Sequence, residues 1–416
     1  VADYLPGRAA RLSALEQQFL QVAAAWGFQQ ILTPALEFED VLAVGMGEGL
    51  RARTFRFDDW QSGRMLAIPS DITPQIARIV ATRLKGHPLP HRISYAGRVL
   101  RHSEQQSGRS REIMQAGVEL IGLDSPEADA EMVAMAVEVM TLANLQDFTV
   151  DVGQVAFCQG VFEASGLVGE PLHLIKQAVA LKDVSTVEML LERHAVPEAS
   201  RQELLALPRL FGGLEVLEEA VQIAKNPRSC AALKNICEVV EILALHGIQS
   251  CLSIDLGETR GLDYHTGLTF EGFVPGSGEA LFSGGRYDDL TGCYGFEAPA
   301  TGFTCNLLSL MQALELQGGT QLETRDLLIF NRADDRREAL QISSTLRQHG
   351  YAVARDIIKR ELAASLDYAS QTSIQAVLVI DNDLTGQGNY SLIQAHDRTE
   401  KNVAREQLWQ QYPARS

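Results

Sequence analysis

The sequence predicts an α+β fold: a sheet flanked by helices, interrupted by a helical insertion and followed by a small α/β domain. Three observations carry this reading. Strand-like stretches cluster within residues 92–152 and return within 251–284, while the segment between them reads as short helices rich in Leu, Ala and Glu. Beyond residue 327 strand and helix alternate, a βαβ rhythm. A chain of 416 residues is too long for one ordinary core, so two or three domains are expected. The boundaries read as 1–155 with 251–316 for the core, 156–250 for the helical insertion and 321–416 for the last domain.

Each element follows from local pattern. Leu12, Leu15, Phe19, Val22 and Trp26 recur at helical spacing and predict an amphipathic helix over 10–27. A strand is expected between Gly27 and Glu39 through Ile31-Leu32, with Pro34 restricting its end. Residues 54–69 read as a hairpin around Gln61-Ser62-Gly63. A helix opens at Thr73-Pro74, where threonine caps and proline fits the first turn, and stops at Lys85-Gly86. Strands follow over 92–102 and 112–122 around a polar loop, then a helix over 126–144 and an alternating strand from Phe148. After the insertion, strands are expected at 251–256, 260–274 and 279–284, and a helix at 306–316. Gln317-Gly318-Gly319-Thr320 reads as a linker. In the tail, Leu327 to Phe330, a helix over 335–349, Tyr351 to Val353 and Ala376 to Ile380 alternate.

The composition, 46% hydrophobic and 21% charged, is that of a soluble globular protein. No apolar run approaches the roughly 20 residues of a membrane helix. Val1-Ala2-Asp3-Tyr4 shows no basic region followed by an apolar core, so no secretory signal is expected. Cysteines at 158, 230, 237, 251, 293 and 305 form no CxxC pair, which argues against a zinc site and a small disulfide framework. Scattered thiols fit a reducing compartment, and a cytoplasmic location is expected. No cofactor or metal is called for. The net charge of −17, almost all of it before residue 321, argues against tRNA, which needs a basic face.

Three strand segments gather polar groups that could hold a small ligand. In Ile113 to Leu120, alternation sends Met114, Ala116, Val118 and Leu120 to one face and Gln115, Gly117 and Glu119 to the other. A carboxylate and an amide flanking a glycine make a floor with room above it; an ordinary sheet with one wet face reads equally well. In Arg260-Gly261-Leu262-Asp263-Tyr264-His265-Thr266, Arg260 and Tyr264 share a face, where an arginine can fork onto a carboxylate and a tyrosine can meet a ring nitrogen. An edge strand with a surface ion pair is the plainer alternative. Ser283-Gly284-Gly285-Arg286-Tyr287-Asp288 permits close backbone approach, or marks a Gly-Gly turn. Asp71 and Thr73, before Pro74, also read as helix caps.

Together these segments resemble a known family. Gly97-Arg98-Val99-Leu100-Arg101 through Gln115-Ala116-Gly117-Val118-Glu119 resembles the second signature of class II aminoacyl-tRNA synthetases, in the form of histidyl-tRNA synthetase. Arg260 to Tyr264 resembles the first histidine-specific motif of that enzyme, and Gly284 to Asp288 the second. Trp26-Gly27-Phe28 with Pro34 is similar to the class II first motif. The likeness covers about residues 5–320, with a weaker one to a shortened anticodon-binding domain in the tail. It implies a class II aminoacyl-tRNA synthetase-like antiparallel sheet flanked by helices. It also implies a histidine pocket: Asp71 and Thr73, helped by Gln115, would hold the α-amino group, Arg260 the carboxylate, and Glu119, Tyr264 and Tyr287 the imidazole. His265 departs from the family's usual second tyrosine.

The resemblance also shows what has gone. Class II activation uses one arginine from the second motif and one from the third. Arg101 matches the first, but its usual glutamate neighbour is Ser103. Where the third motif places a Glu-Arg pair opening a helix, this chain has Leu308-Ser309. Loss of an arginine clamp on a reacting phosphate costs about 10³–10⁵ in rate. The segment Pro69-Ser70-Asp71-Ile72-Thr73-Pro74-Gln75 resembles the Asp-x-Thr-Pro-Gln form of the synthetase-like regulatory subunits of ATP phosphoribosyltransferase, which partner a short catalytic chain at the first step of histidine biosynthesis. That resemblance implies a non-catalytic, histidine-sensing regulatory subunit with a homodimeric core inside a hetero-oligomer. An active histidyl-tRNA synthetase and a stand-alone amino-acid- or RNA-binding protein are the alternatives, separable by ATP–pyrophosphate exchange and by salt-sensitive RNA retention.

Overall fold

A computed structural model describes residues 3–45, 47, 51–102, 111–194, 196–259, 265–318, 325–358, 360–381 and 389–413. It divides into two compact units, one being Leu12–Gly319 and the other Thr320–Ser416 with Asp3–Arg11.

Helix α1 (Pro6–Ala25), which belongs to the first unit from Leu12 onward, buries Leu12, Leu15, Phe19 and Val22, the apolar stripe that its spacing predicts. It opens at Pro6, four residues before the expected start at residue 10, on a residue suited to the start of a helix. β1 is only Gln29–Gln30. Ile31 still donates its N–H to Ser94 O at 2.8 Å, but Leu32 is 79% exposed, so the expected Ile31-Leu32 strand fades as Pro34 approaches. A three-stranded sheet follows: β2 (Glu37–Phe38), then, after the short helix α2 (Glu39–Val44), the hairpin β3 (Phe55–Asp59) and β4 (Arg64–Ile68). α3 (Thr73–Ile79) begins with proline in its first turn and ends in a wider turn, Val80–Leu84.

Next come the long strands β5 (His91–Leu100) and β6 (Glu112–Ile121), α4 (Pro126–Leu142) and β7 (Thr149–Gln154). Ser125 caps α4 by accepting from Ala128 N, with Pro126 and two acidic residues completing its first turn. The described residues of 155–245 hold the α-helices α5 (Val155–Ser165), α6 (Gly169–Ala180), α7 (Val184–Arg193) and α8 (Glu198–Ala206), then the two-residue strand β8 (Phe211–Gly212), α9 (Glu215–Ile223) and α10 (Pro227–Leu245). The chain then re-enters the sheet through β9 (Leu252–Asp255), β10 (Leu268–Phe273), β11 (Phe282–Arg286) and β12 (Ala300–Asn306), and closes with α11 (Leu307–Leu316).

Nine strands form the main sheet in the order β1-β5-β6-β12-β11-β10-β7-β9-β8. It is antiparallel, as the class II likeness implies, except at its flanks, where β1 with β5 and β7 with β9 run parallel. The insertion therefore contributes an edge strand to the core sheet, which its helix-rich sequence did not predict. Two residues are too few to show a period of two.

The register sorts the sheet into two unlike faces. One carries Val118, Leu120, Phe303, Phe270, Phe282 and Val152, all buried, and Phe19 of α1 packs 5.7 Å from Phe303. The other carries Gln115, Gly117 and Glu119 on β6, Gly302, Thr304 and Asn306 on β12, Ser283 and Gly285 on β11, and Thr269 on β10. α3 supplies the polar residues that meet this second face at its β6 end.

The second unit holds a five-stranded sheet, β14-β13-β15-β16-β17, built from β13 (Arg325–Asn331), β14 (Val353–Arg355), β15 (Ile374–Ile380), β16 (Asn389–Gln394) and β17 (Glu400–Ala404). The first three are parallel and joined through α12 (Arg337–Gln348) and α13 (Leu362–Gln371), the βαβ rhythm of the sequence. β16 and β17 add an antiparallel meander before α14 (Arg405–Gln411). No helix among the described residues is long and apolar enough to cross a membrane.

Candidate functional site

Glu119 stands at the centre of the polar face and is 1% exposed. Its room comes from Gly302, directly opposite on β12, where a Cβ would sit 2.0 Å from Glu119 Oε2. The hydroxyls of Thr73 and Tyr95 each donate to Glu119 Oε1 at 2.8 Å, and the Tyr287 hydroxyl donates to Oε2. Burial pushes the Glu119 carboxyl up to about 8, against the lowering effect of the Tyr287, Thr73 and Tyr95 hydroxyls. Burial likewise pushes the Tyr95 phenol well up. A carboxyl in this state ionises readily when an N–H donor or a cation reaches it, because either favours the charged form.

Tyr95 is absent from the sequence reading, and it corrects one expectation. Gly117 does not leave open room above the floor; a Cβ there would lie 2.5 Å from the Tyr95 ring, which fills that space. The signal was available in the register, since Tyr95 stands directly opposite Gly117.

A second cluster surrounds Asp71 at the start of α3. Asp71 Oδ1 accepts from Thr73 N at 3.0 Å and from Gln115 Nε2 at 3.1 Å, and Gln115 Oε1 accepts from Ile72 N at 3.1 Å. Asp71 thus serves the helix start and faces the pocket at once. Thr73 divides likewise: its backbone belongs to Asp71 and its hydroxyl to Glu119. Arg101 lays its guanidinium beside this group, donating from Nε to Ser70 O at 2.8 Å, with Nη2 3.4 Å from Asp71 Oδ2.

The motif at 283–288 is strand rather than Gly-Gly turn. Gly284 and Gly285 lie within β11, and a Cβ on Gly284 would strike Gly302 O and the Phe303 side chain at 2.5 Å. Arg286 is buried and pairs with Asp129, itself fully buried, at 3.0 Å, and with Asp288 at 3.1 Å. Asp288 accepts from Ala300 N and from the Thr266 hydroxyl. This network fixes the end of β11 so that Tyr287 reaches Glu119. Asp71, Thr73, Gln115, Glu119 and Tyr287 are therefore brought together. Arg260 and Tyr264, and the Ser103 noted beside Arg101, lie outside the described residues. Among the described residues no group of His, Cys, Asp and Glu side chains could hold a metal ion.

A sequence-family model described as histidyl-tRNA synthetase matches residues 1–310. An ATP phosphoribosyltransferase regulatory subunit from Geobacter sulfurreducens is 56% identical over 95% of this chain and 91% of its own length. One from Syntrophotalea carbinolica is 47% identical over 97% and 94%. The chain belongs to the family of ATP phosphoribosyltransferase regulatory subunits. Among solved structures, one described as an ATP phosphoribosyltransferase regulatory subunit/histidyl-tRNA synthetase from Bacillus halodurans superposes with a TM-score of 0.79, at 27% identity over 92% of this chain and 97% of that one. Histidyl-tRNA synthetase from Nostoc superposes at 0.85 with 22% identity over 99% and 97%, which bears on the fold alone.

A regulatory-subunit family built on a synthetase fold directs attention to the β12–α11 junction. There the strand runs straight into the helix, and Asn306 caps it, its Oδ1 accepting from Leu308 N at 3.1 Å and Ser309 N at 3.5 Å. Leu308 is 5% exposed and packs into the core. The helix start that would present donors to an anionic ligand is thus satisfied by its own side chain, and no cation stands at 308 or 309.

Proposed function

We propose that this regulatory subunit senses L-histidine in the pocket around Glu119 and acts with a short-form catalytic ATP phosphoribosyltransferase chain to apply feedback at the first step of histidine biosynthesis. The observation that carries the proposal is the buried Glu119 with its Thr73, Tyr95 and Tyr287 donors, beside the Asp71–Gln115 pair. Asp71 meets the ligand's α-ammonium group, and Glu119 with Tyr287 meets a ring N–H. Arg260 and Tyr264 complete the set on the strength of the resemblance. The ligand's charges match: a cationic amine finds a carboxylate, and a ring donor finds an acceptor that becomes ionised as it binds.

Feedback requires histidine to bind the inhibited arrangement of the complex more tightly than the active one. Couplings of this kind are typically about 1–3 kcal/mol. The class II likeness supports a homodimeric core within the hetero-oligomer. The test is a phosphoribosyl-ATP assay on the chain purified with its catalytic partner. Histidine should inhibit the complex, and Glu119→Gln should abolish that inhibition while leaving the partner's activity without histidine intact. Equal inhibition of both complexes would refute the pocket.

A further inference from the structure

We infer that the pocket reads the basicity of the ligand's ring: the carboxyl of Glu119 carries a proton while the pocket is empty, passes it to the ring nitrogen as histidine binds, and then faces an imidazolium. This deepens the pocket reading above and rests on it. The observation that carries it is the shell of hydroxyls around the carboxyl. Thr73 and Tyr95 each lie 2.8 Å from Oε1, and their own oxygens are 3.2 Å apart, where either can donate to the other. The three oxygens form a closed triangle. A hydroxyl offers one proton and two lone pairs, so it serves a carboxyl in either state. While the carboxyl is neutral, its O–H, the Tyr95 hydroxyl and the Thr73 hydroxyl donate in turn around the triangle. Once it is ionised, Thr73 and Tyr95 both donate to Oε1 and Tyr287 to Oε2. Only protons turn; no heavy atom has to move.

A lysine or arginine against the carboxyl would fix the ionised form instead. Among the described residues the neighbouring cations are committed elsewhere. Arg101, just beyond β5, donates to Ser70 O and lies 3.4 Å from Asp71. Arg286 of β11 pairs with Asp129 and Asp288. On β6 itself, Gln115 is bonded to Asp71 and Ile72 N, and β12 sets Gly302 against the carboxyl. His265 stands over Gly285, which pairs with Gly302 one strand further on. α3 adds the negative charge of Asp71. Burial first, and that charge with it, hold the proton on Glu119 up to about 8, against the pull of the hydroxyls.

The ligand's charges decide where the proton goes. The α-ammonium group pairs with Asp71, so an ionised Glu119 facing a neutral ring would be a buried charge with no counter-ion among the described residues, which is costly. With the proton on the ring, carboxylate and imidazolium form a charge-assisted hydrogen bond. Free imidazole, at about 6.5, is close enough to the carboxyl's value for that attraction to carry the proton across. The carboxyl O–H bond breaks and leaves its electron pair on Glu119; the lone pair of the unprotonated ring nitrogen takes the proton. Oε1 already accepts from two hydroxyls, so the ring meets Oε2, on the Tyr287 side.

The test is calorimetry of the full chain at about pH 7.2, between the two values, in two buffers of unlike ionisation enthalpy. The ligands are L-histidine and triazolylalanine, whose ring has the same shape and an N–H but is a far weaker base. At that pH the empty pocket and free histidine together hold one proton, and so does the complex, so histidine should exchange none with the buffer. Triazolylalanine should bind at least about tenfold more weakly, the equivalent of one pKa unit in the ring. Release of about one proton per histidine would overturn the transfer, and so would a triazolylalanine affinity within about tenfold of histidine's. Either result, with saturable heat from histidine, leaves the pocket standing. No heat from histidine would overturn the pocket itself.

Discussion

Two places on one sheet face have fared differently. At the β6–β12 pair, a buried carboxyl is kept at the cost of its desolvation, surrounded by three hydroxyl donors and given space by a glycine. A few strand positions away, at the β12–α11 junction, leucine and serine stand where an acid and an arginine would serve phosphate chemistry, and Asn306 seals the helix start. A buried carboxyl is costly to desolvate, and the Thr73, Tyr95 and Tyr287 hydroxyls offset that cost with hydrogen bonds. The neighbouring junction carries no such cost. On the reading proposed above, this sheet face sheds one substrate's machinery and retains another's, which is open to it because the two sets of side chains come from different elements.

The strongest way to break this comparison is at Glu119. Glu119→Gln should reduce histidine affinity at least about a hundredfold by calorimetry, since the ring N–H loses its ionisable acceptor. Gly302→Ala should come next. Its methyl group would displace the carboxyl, costing about 1–3 kcal/mol of stability in denaturant titration and most of the histidine affinity. Tyr287→Phe removes one donor to Glu119 and should weaken binding by about tenfold, with the carboxyl displaced further upward.

The pH dependence of stability sharpens the same point. Glu119 holds its proton up to about 8 when folded but releases it near the ordinary carboxyl value when unfolded. Between those values the native state binds the extra proton, so this group's contribution falls as pH rises. Wild type should lose stability relative to Glu119→Gln between about pH 5 and 8, by thermal melts of both; parallel profiles would contradict the assignment. The smallest effect belongs to the far side: Ser309→Arg, at a half-buried position, should change histidine affinity by less than about twofold.

The sequence made part of this legible. Period-two alternation sorted Gln115, Gly117 and Glu119 onto one face, and a shared face is what the register shows. It could not say what filled the space over Gly117, because Tyr95 arrives from another strand and only pairing brings the two together. Asp71 and Thr73 could be read as caps or as pocket residues; Thr73 does not cap, since Ile72 holds the cap position and the Thr73 hydroxyl goes to Glu119, while Asp71 accepts from Thr73 N at the helix start. The Arg286–Asp129 pair, 157 residues apart, left no local trace, and neither did a two-residue edge strand. Long periodic segments such as α1, β6 and α4 were readable because burial on one face imposes a pattern over many residues. The ends of elements were not, since they depend on caps and on neighbours.

The central claim is that the amino-acid cradle persists where the triphosphate grip does not, and one preparation of the purified chain can test both halves. Titrated with L-histidine, it should release saturable heat; supplied with histidine, ATP and pyrophosphate, it should show no histidine-dependent exchange. Exchange at synthetase-like rates would contradict the claim outright, and so would a flat histidine titration.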